Sequence, residues 1–239
     1  MNNQITLTRE IRDDYFYNEA IKTLRTNIQF SGNKVHVIMM TSTVPEEGKS
    51  ETIFALASAM AQIGNKVLLI DADIRKSVLA SRYQLNTRVD GLSQYLSGQK
   101  TLQEVCYSTN IDHLDMIFSG PYSPNPADLL EEPELKKLLE WARSEYDYVF
   151  IDTPPVGSVI DGAIIAPLCD GVIIVIESGT VSYKLIQKAK TQLERTGCRI
   201  LGTVLNRVNI QEQHGYYRYY GKYGKYDKYY RYDQGESEA

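Results

Sequence analysis

An α/β fold, a mostly parallel sheet with helices on both faces, is predicted by three features of this sequence. Short apolar runs recur at 35–40, 66–70, 114–118, 148–151, 171–176 and 200–205. Helix-forming stretches separate most of them, at 50–63, 134–144 and 183–196. The runs are continuously apolar rather than alternating, which marks strands covered on both faces.

Each element has a local reason. Residues 1–14 are polar and are expected to be irregular. Tyr17, Ile21, Leu24 and Ile28 then recur at helical spacing. Pro133 suits a first helical turn. Gly64 and Gly197 follow helices, where a left-handed residue is often needed. Aliphatic residues are absent from Gly215 until Ala239. Such a stretch buries too little surface to offset chain entropy, so a flexible tail is expected there. The organisation read from these patterns is an N-terminal segment and helix at 1–32, a globular domain at 33–209, and a tail at 210–239.

Composition removes several classes of protein. The chain has 239 residues, 43% of them hydrophobic, enough for one sizeable core. A net charge of −4 argues against nucleic acid as partner. Cys106, Cys169 and Cys198 show neither pairing nor metal spacing, and His36, His113 and His214 are scattered. They read as reduced thiols and isolated imidazoles, with no structural zinc. No apolar run approaches the ~18 residues of a membrane span, and no signal peptide is indicated. The expected location is cytoplasmic, with any membrane role supplied by a partner.

The chemistry concentrates in three places. In "VIMMTSTVPEEGKSE" a strand, a loop and a helix follow one another, and Gly48, Lys49 and Ser50 open the helix. A helix start offers free N–H groups and a favourable dipole to a phosphate. Lys49 can reach the β- and γ-phosphates, and the Ser50 hydroxyl can ligate Mg²⁺. Glu46, Glu47, Gly48, Lys49, Ser50 and Glu51 are therefore the candidate phosphate-loop residues. In "KVLLIDADIRK" Asp71 and Asp73 end a second buried strand, and in "YDYVFIDTPP" Asp152 ends a third. Ligands of open parallel sheets bind at such carboxyl ends. Asp152 fits the metal-holding role of a Walker B aspartate. Together these define a P-loop NTPase-type fold with ATP and Mg²⁺ as cofactors. For Arg75 no role emerges beyond a salt bridge to a neighbouring carboxylate.

The combination of EGKS, LLIDADIR, FIDTPP and a terminal tyrosine cluster resembles the bacterial tyrosine kinases. It is most similar to the cytoplasmic kinase half of the split Gram-positive type that serves capsule and exopolysaccharide export. The resemblance implies an autokinase in which Asp71 acts as base. It gives Asp73, Asp152 and Ser50 the metal and Lys49 the transferring phosphate. It also implies that Asn206 and Arg207 lie near the adenine. The family's Glu-x-x-Arg-x-x-Arg ring motif reads Glu19, Lys22, Arg25 here, so a ring-shaped homo-oligomer with phosphorylation in trans is expected. The family loop carries glycine where this chain has Glu46, and threonine where it has Glu51. A transmembrane adaptor and a cognate phosphotyrosine phosphatase are implied as partners.

The implied substrate is the tail itself: Tyr216, Tyr217, Tyr219, Tyr220, Tyr223, Tyr226, Tyr229, Tyr230 and Tyr232, half of the chain's 18 tyrosines. Between Tyr216 and Tyr232 five basic residues face one acidic residue, a balance of +4. Nine phosphates at roughly −1.5 to −2 each would take that to about −10 or below. The alternative reading is a partition- or septum-type P-loop ATPase acting as a nucleotide-driven dimerisation switch. That group has a lysine where this chain has Val44, and it leaves the tail without a role. Stacking of the tail on single-stranded RNA is a further alternative.

Overall fold

The computed structural model describes residues 3–8, 14–83, 85 and 89–208. Its strands are β1 (Asn3–Gln4), β2 (Val37–Ser42), β3 (Val67–Asp71), β4 (Cys106–Ser108), β5 (Leu114–Ile117), β6 (Tyr148–Asp152), β7 (Gly171–Glu177) and β8 (Ile200–Asn206). They form one sheet in the order β1-β4-β5-β3-β6-β2-β7-β8. Every pairing is parallel except that of β4 with β5. The longer helices are α1 (Tyr15–Gln29), α2 (Lys49–Ala61), α7 (Pro133–Glu145) and α9 (Tyr183–Glu194). Shorter ones are α3 (Leu79–Arg82), α4 (Leu92–Leu96), α5 (Leu102–Val105), α6 (Pro126–Glu131) and α8 (Asp161–Ile165).

The alternation of side chains along each strand sorts the core into two layers. On β2, Val37 and Met39 join the layer under α7, with Leu135, Leu138 and Leu139. Ile38 and Met40 face the opposite way, against Ile53, Phe54 and Leu56 of α2. Both sets are buried, which is why the strand reads as continuously apolar. Outside α2 lies α1, whose Ile21 meets Ala55 and Ala59. Asp14 caps α1, accepting from Phe16 N at 3.1 Å and Tyr17 N at 3.2 Å. Gly64 and Gly197 take φ of 89° and 78°, the left-handed geometry expected after α2 and α9.

The structure departs from the sequence reading in its small elements. Residues 1–14 are not wholly irregular. Asn3–Gln4 pairs with Tyr107–Ser108, Ile5 and Leu7 are buried, and Asn110 holds both the N–H and the carbonyl of Leu7. A two-residue strand has no periodicity to detect, and its partner lies about a hundred residues away. The three-residue strand β4 is likewise too short to show a period, although its antiparallel partner β5 follows closely in the chain. The helix of the phosphate loop starts at Lys49, one residue earlier than expected.

By its internal contacts the chain divides into Met1–Asn206 and Arg207–Ala239. Only residues 207–208 of the second unit are described, so all nine tail tyrosines lie outside the described residues. No described helix is long and apolar enough to cross a membrane.

If the N-terminal strand seals the sheet edge, Leu7→Ala should cost about 2–4 kcal/mol. Urea unfolding at constant m-value measures this, and a cost below about 0.5 kcal/mol would show the edge to be superficial.

Candidate functional site

Three adjacent strands, β3, β6 and β2, bring the site together at their carboxyl ends. Asp71 closes β3 and Asp152 closes β6, and the two stand directly opposite each other in the parallel register. Met40 of β2 pairs with Asp152 on its other side, and β2 runs on into the phosphate loop. Lys49 opens α2 beneath that loop. Its Nζ donates to Asp152 Oδ1 at 3.3 Å, Asp73 Oδ2 at 3.4 Å and Ser50 Oγ at 3.1 Å. Asp71, Asp73, Asp152, Lys49 and Ser50 are all buried. The sequence-predicted residues therefore converge, with Lys49 at the centre.

Burial and charge work against each other here. Burial pulls the Lys49 ammonium down, but Asp152, Asp73 and Asp71 together outweigh it and hold it above its ordinary value. Burial pushes Asp71 up to about 7, and the neighbouring Asp152 charge adds to the rise. The Ser77 hydroxyl, donating to Asp71 Oδ2, and the Lys49 charge act in the opposite direction. Asp152 is also raised by burial, while Lys49 and the Ser50 hydroxyl restrain it. Three carboxylates facing one ammonium leave a surplus of negative charge suited to a divalent cation.

The loop itself has a backbone cradle. Gly48 sits at φ 87°, a conformation larger residues rarely adopt, and a Cβ there would crowd the Asn206 amide. Glu46 also takes a left-handed φ, 69°, with its side chain exposed. That geometry accounts for the glycine found at this place in the resembling family. Glu47 contributes its side chain to the loop's own architecture rather than to the phosphate side. Its side chain turns into the protein, where Oε2 accepts from Thr43 N at 2.6 Å and Val44 N at 2.8 Å. Its Oε1 accepts from Glu177 N at 3.0 Å, so one buried carboxylate ties the loop to the end of β7. Asn206, at the end of β8, donates from Nδ2 to the Glu47 carbonyl at 2.9 Å.

Other candidates have mainly structural partners. Arg75 makes a two-pronged pair with the buried Asp161, at 2.7 and 2.8 Å. The pair fastens the loop after β3 to the start of α8. Glu51 pairs with Arg82 at 3.2 Å. Glu19 and Lys22 bond each other along α1 at 2.7 Å, and Arg25 donates to the Ala59 carbonyl at 3.1 Å. Arg207 ends the described chain with φ 54°. Sequence reasoning missed Ser77, Asp161, Arg82 and the inward turn of Glu47. Of these, only Ser77 carried a usable signal, as a hydroxyl six residues beyond Asp71.

The donor set fits a magnesium-bound nucleoside triphosphate. A glycine cradle at a helix start suits phosphates. Magnesium usually takes one or two carboxylates and completes its shell with phosphates and water. Among the described residues no group of three or more acidic, histidine or cysteine side chains closes a metal cage by itself. What the fold and site define is thus a P-loop nucleotide-binding protein with a second acidic strand end beside its Walker aspartate.

The comparisons narrow this class. The profile of the AAA domain family matches residues 35–196. The tyrosine-protein kinase CpsD of Streptococcus agalactiae is 42% identical over 191 residues, covering 80% of this chain and 83% of that protein. The tyrosine-protein kinase YwqD of Bacillus subtilis is 39% identical over 203 residues, covering 83% and 85%. The kinase domain of the Escherichia coli tyrosine kinase ETK superposes with a TM-score of 0.76 at 28% identity, covering 89% of this chain and 94% of that one. This chain belongs to the bacterial tyrosine-protein kinases, within the AAA domain family.

Two outcomes test the site's construction. Glu47→Ala removes the acceptor of the Thr43, Val44 and Glu177 N–H groups, the first buried and the other two partly buried, each loss costing up to about 1–3 kcal/mol. It should lower stability by about 3 kcal/mol or more and weaken Mg-ADP binding, read by urea unfolding and calorimetry. Asp71 tests the electrostatics. Its folded value, about 7, lies above the unfolded 3.8, so its contribution is greatest below about pH 4 and is lost as pH rises to 7. Without nucleotide, Asp71→Asn should therefore flatten the fall in melting temperature between pH 4 and 8 and raise it at pH 8. An unchanged pH profile would contradict this.

Proposed function

We propose that this chain is an ATP-dependent protein-tyrosine autokinase that phosphorylates its own terminal tyrosine cluster. The observation that carries the reading is the meeting of Lys49 with Asp73 and Asp152, with Asp71 alongside Asp152 in the sheet register. Phosphoryl transfer needs positioning and charge neutralisation more than covalent chemistry. When bound, Mg-ATP supplies the electrophilic phosphoryl group and an in-line leaving group.

The chain's own residues do the rest. Lys49 neutralises charge on the transferring group. Ser50, Asp73 and Asp152 would hold the magnesium. Asp71 accepts the proton of the tyrosine hydroxyl. The phenolic oxygen gains the bond to phosphorus as the bond to the departing ADP oxygen breaks. By resemblance to the family, Asn206 and Arg207 would contact the base. A phenol is a weak nucleophile with a pKa near 10, so a neighbouring base of raised pKa is an apt acceptor.

The tail from Tyr216 to Tyr232 serves as substrate, delivering many hydroxyls without strict register. Its charge swing of roughly −1.5 to −2 per phosphate drives modified tails out of the site and apart from one another. Similarity to the split kinases supports phosphorylation in trans within a ring that uses Glu19, Lys22 and Arg25. The exposed Glu19–Lys22 pair is worth little by itself and can exchange partners at such an interface. The same similarity supports a transmembrane adaptor, a phosphotyrosine phosphatase, and a role in capsule or exopolysaccharide synthesis at the inner face of the cell membrane.

Incubation with Mg-ATP should label the tail with phosphotyrosine, and Lys49→Met should lower the signal at least a hundredfold, about 2.7 kcal/mol of transition-state stabilisation. Replacing the nine tail tyrosines with phenylalanine should remove it. A wild-type chain that stays unlabelled both alone and with an adaptor's cytoplasmic segment would refute the proposal.

A further inference from the structure

Glu51 is the site residue that the kinase reading leaves unexplained. It follows Ser50 in the first turn of α2, where free backbone N–H groups face a bound phosphate. A carboxylate in that turn suits an empty helix start, because the dipole favours it. Beside a polyphosphate the same charge is repulsive. Buried below it, Asp71, Asp73 and Asp152 already exceed the positive charge of Lys49, so Glu51 adds to a surplus.

The structure places a cation on this carboxylate. Arg82, in the last turn of α3, holds Nη1 3.2 Å from Glu51 Oε2. Their side chains are 43% and 31% exposed, so the pair contributes little to folding. It still places a positive charge beside that carboxylate, so an anion at the helix start meets less net negative charge.

We propose that Arg82 is a positioning and charge-compensating residue of the nucleotide site, acting through Glu51 to keep its carboxylate off the phosphates. The proposal rests on the nucleotide-binding reading above.

A double-mutant cycle with Mg-ADP calorimetry tests it, using wild type, Arg82→Ala, Glu51→Thr and the double variant. Arg82→Ala should weaken binding about three- to tenfold, the scale of one partly screened charge. Glu51→Thr should tighten it. In the Glu51→Thr background, Arg82→Ala should change affinity less than twofold. Arg82→Lys should recover most of the loss, and high salt should shrink the coupling. Melting temperatures without nucleotide should differ little among the four proteins, which separates charge compensation from a structural role. Equal losses in both backgrounds, or no loss in either, would overturn the proposal. Failure of the wild type to bind Mg-ADP would overturn it together with the nucleotide site. A chain that binds Mg-ADP but never labels its tail sinks the autokinase reading alone.

Discussion

A lysine buried among three aspartates governs this molecule. Neither component is stable in isolation: a lone buried ammonium or carboxylate costs several kcal/mol, and removing one partner of such a pair is strongly destabilising. Lys49 is held charged because Asp152, Asp73 and Asp71 surround it, and Asp152 keeps its place partly because Lys49 opposes the effect of its burial. The residues arrive from three different strand ends, so the cluster forms only when the central sheet is correctly registered. Slippage of β3 against β6 by one residue would turn Asp71 away from Asp152, since neighbouring side chains on a strand face opposite sides.

The sheet order makes this possible. With β6 between β3 and β2, the second acidic strand end lies beside the Walker aspartate, which in turn lies beside the strand feeding the phosphate loop. The loop is then fastened on its far side. Glu47 binds it to Glu177 at the end of β7, and Asn206 binds it to the end of β8. One side of the site is thus built from acids gathered around Lys49, and the other from polar side chains that fix the backbone. Arg75 and Asp161 extend the same principle to the loop after β3, joining it to α8 without a charge left over.

Much of this was legible in the sequence because it is encoded locally. The strands of the central sheet are apolar runs, and GKS, DAD and FIDTPP each occupy a strand end recognisable from a few neighbouring residues. The eye failed where the partner is remote. Glu47 was read with the phosphate ligands because it sits among them, yet its carboxylate serves Glu177, 130 residues on. The salt bridge expected of Arg75 forms, but its partner Asp161, 86 residues away, could not be read locally, nor could Arg82 from Glu51. Asn3–Gln4 looked irregular because its order comes from Tyr107–Ser108 rather than from its own residues.

The surplus of acid over base links stability to activity in this site. In the absence of a divalent cation the cluster relieves its repulsion most simply by holding a proton, and Asp71, fully buried and raised to about 7, is where that proton is best kept. A cation drawn to Asp73 and Asp152 would reduce the repulsion on Asp71 and release the proton, leaving a carboxylate able to receive one from a phenol. The base would then be armed by the same event that loads the nucleotide. An arrangement optimised for the empty protein would replace one of these acids with an amide, which relieves repulsion but removes the acceptor. On the proposed role of Asp71, retaining all three acids costs stability in the empty protein and keeps in the site a group that could accept a proton.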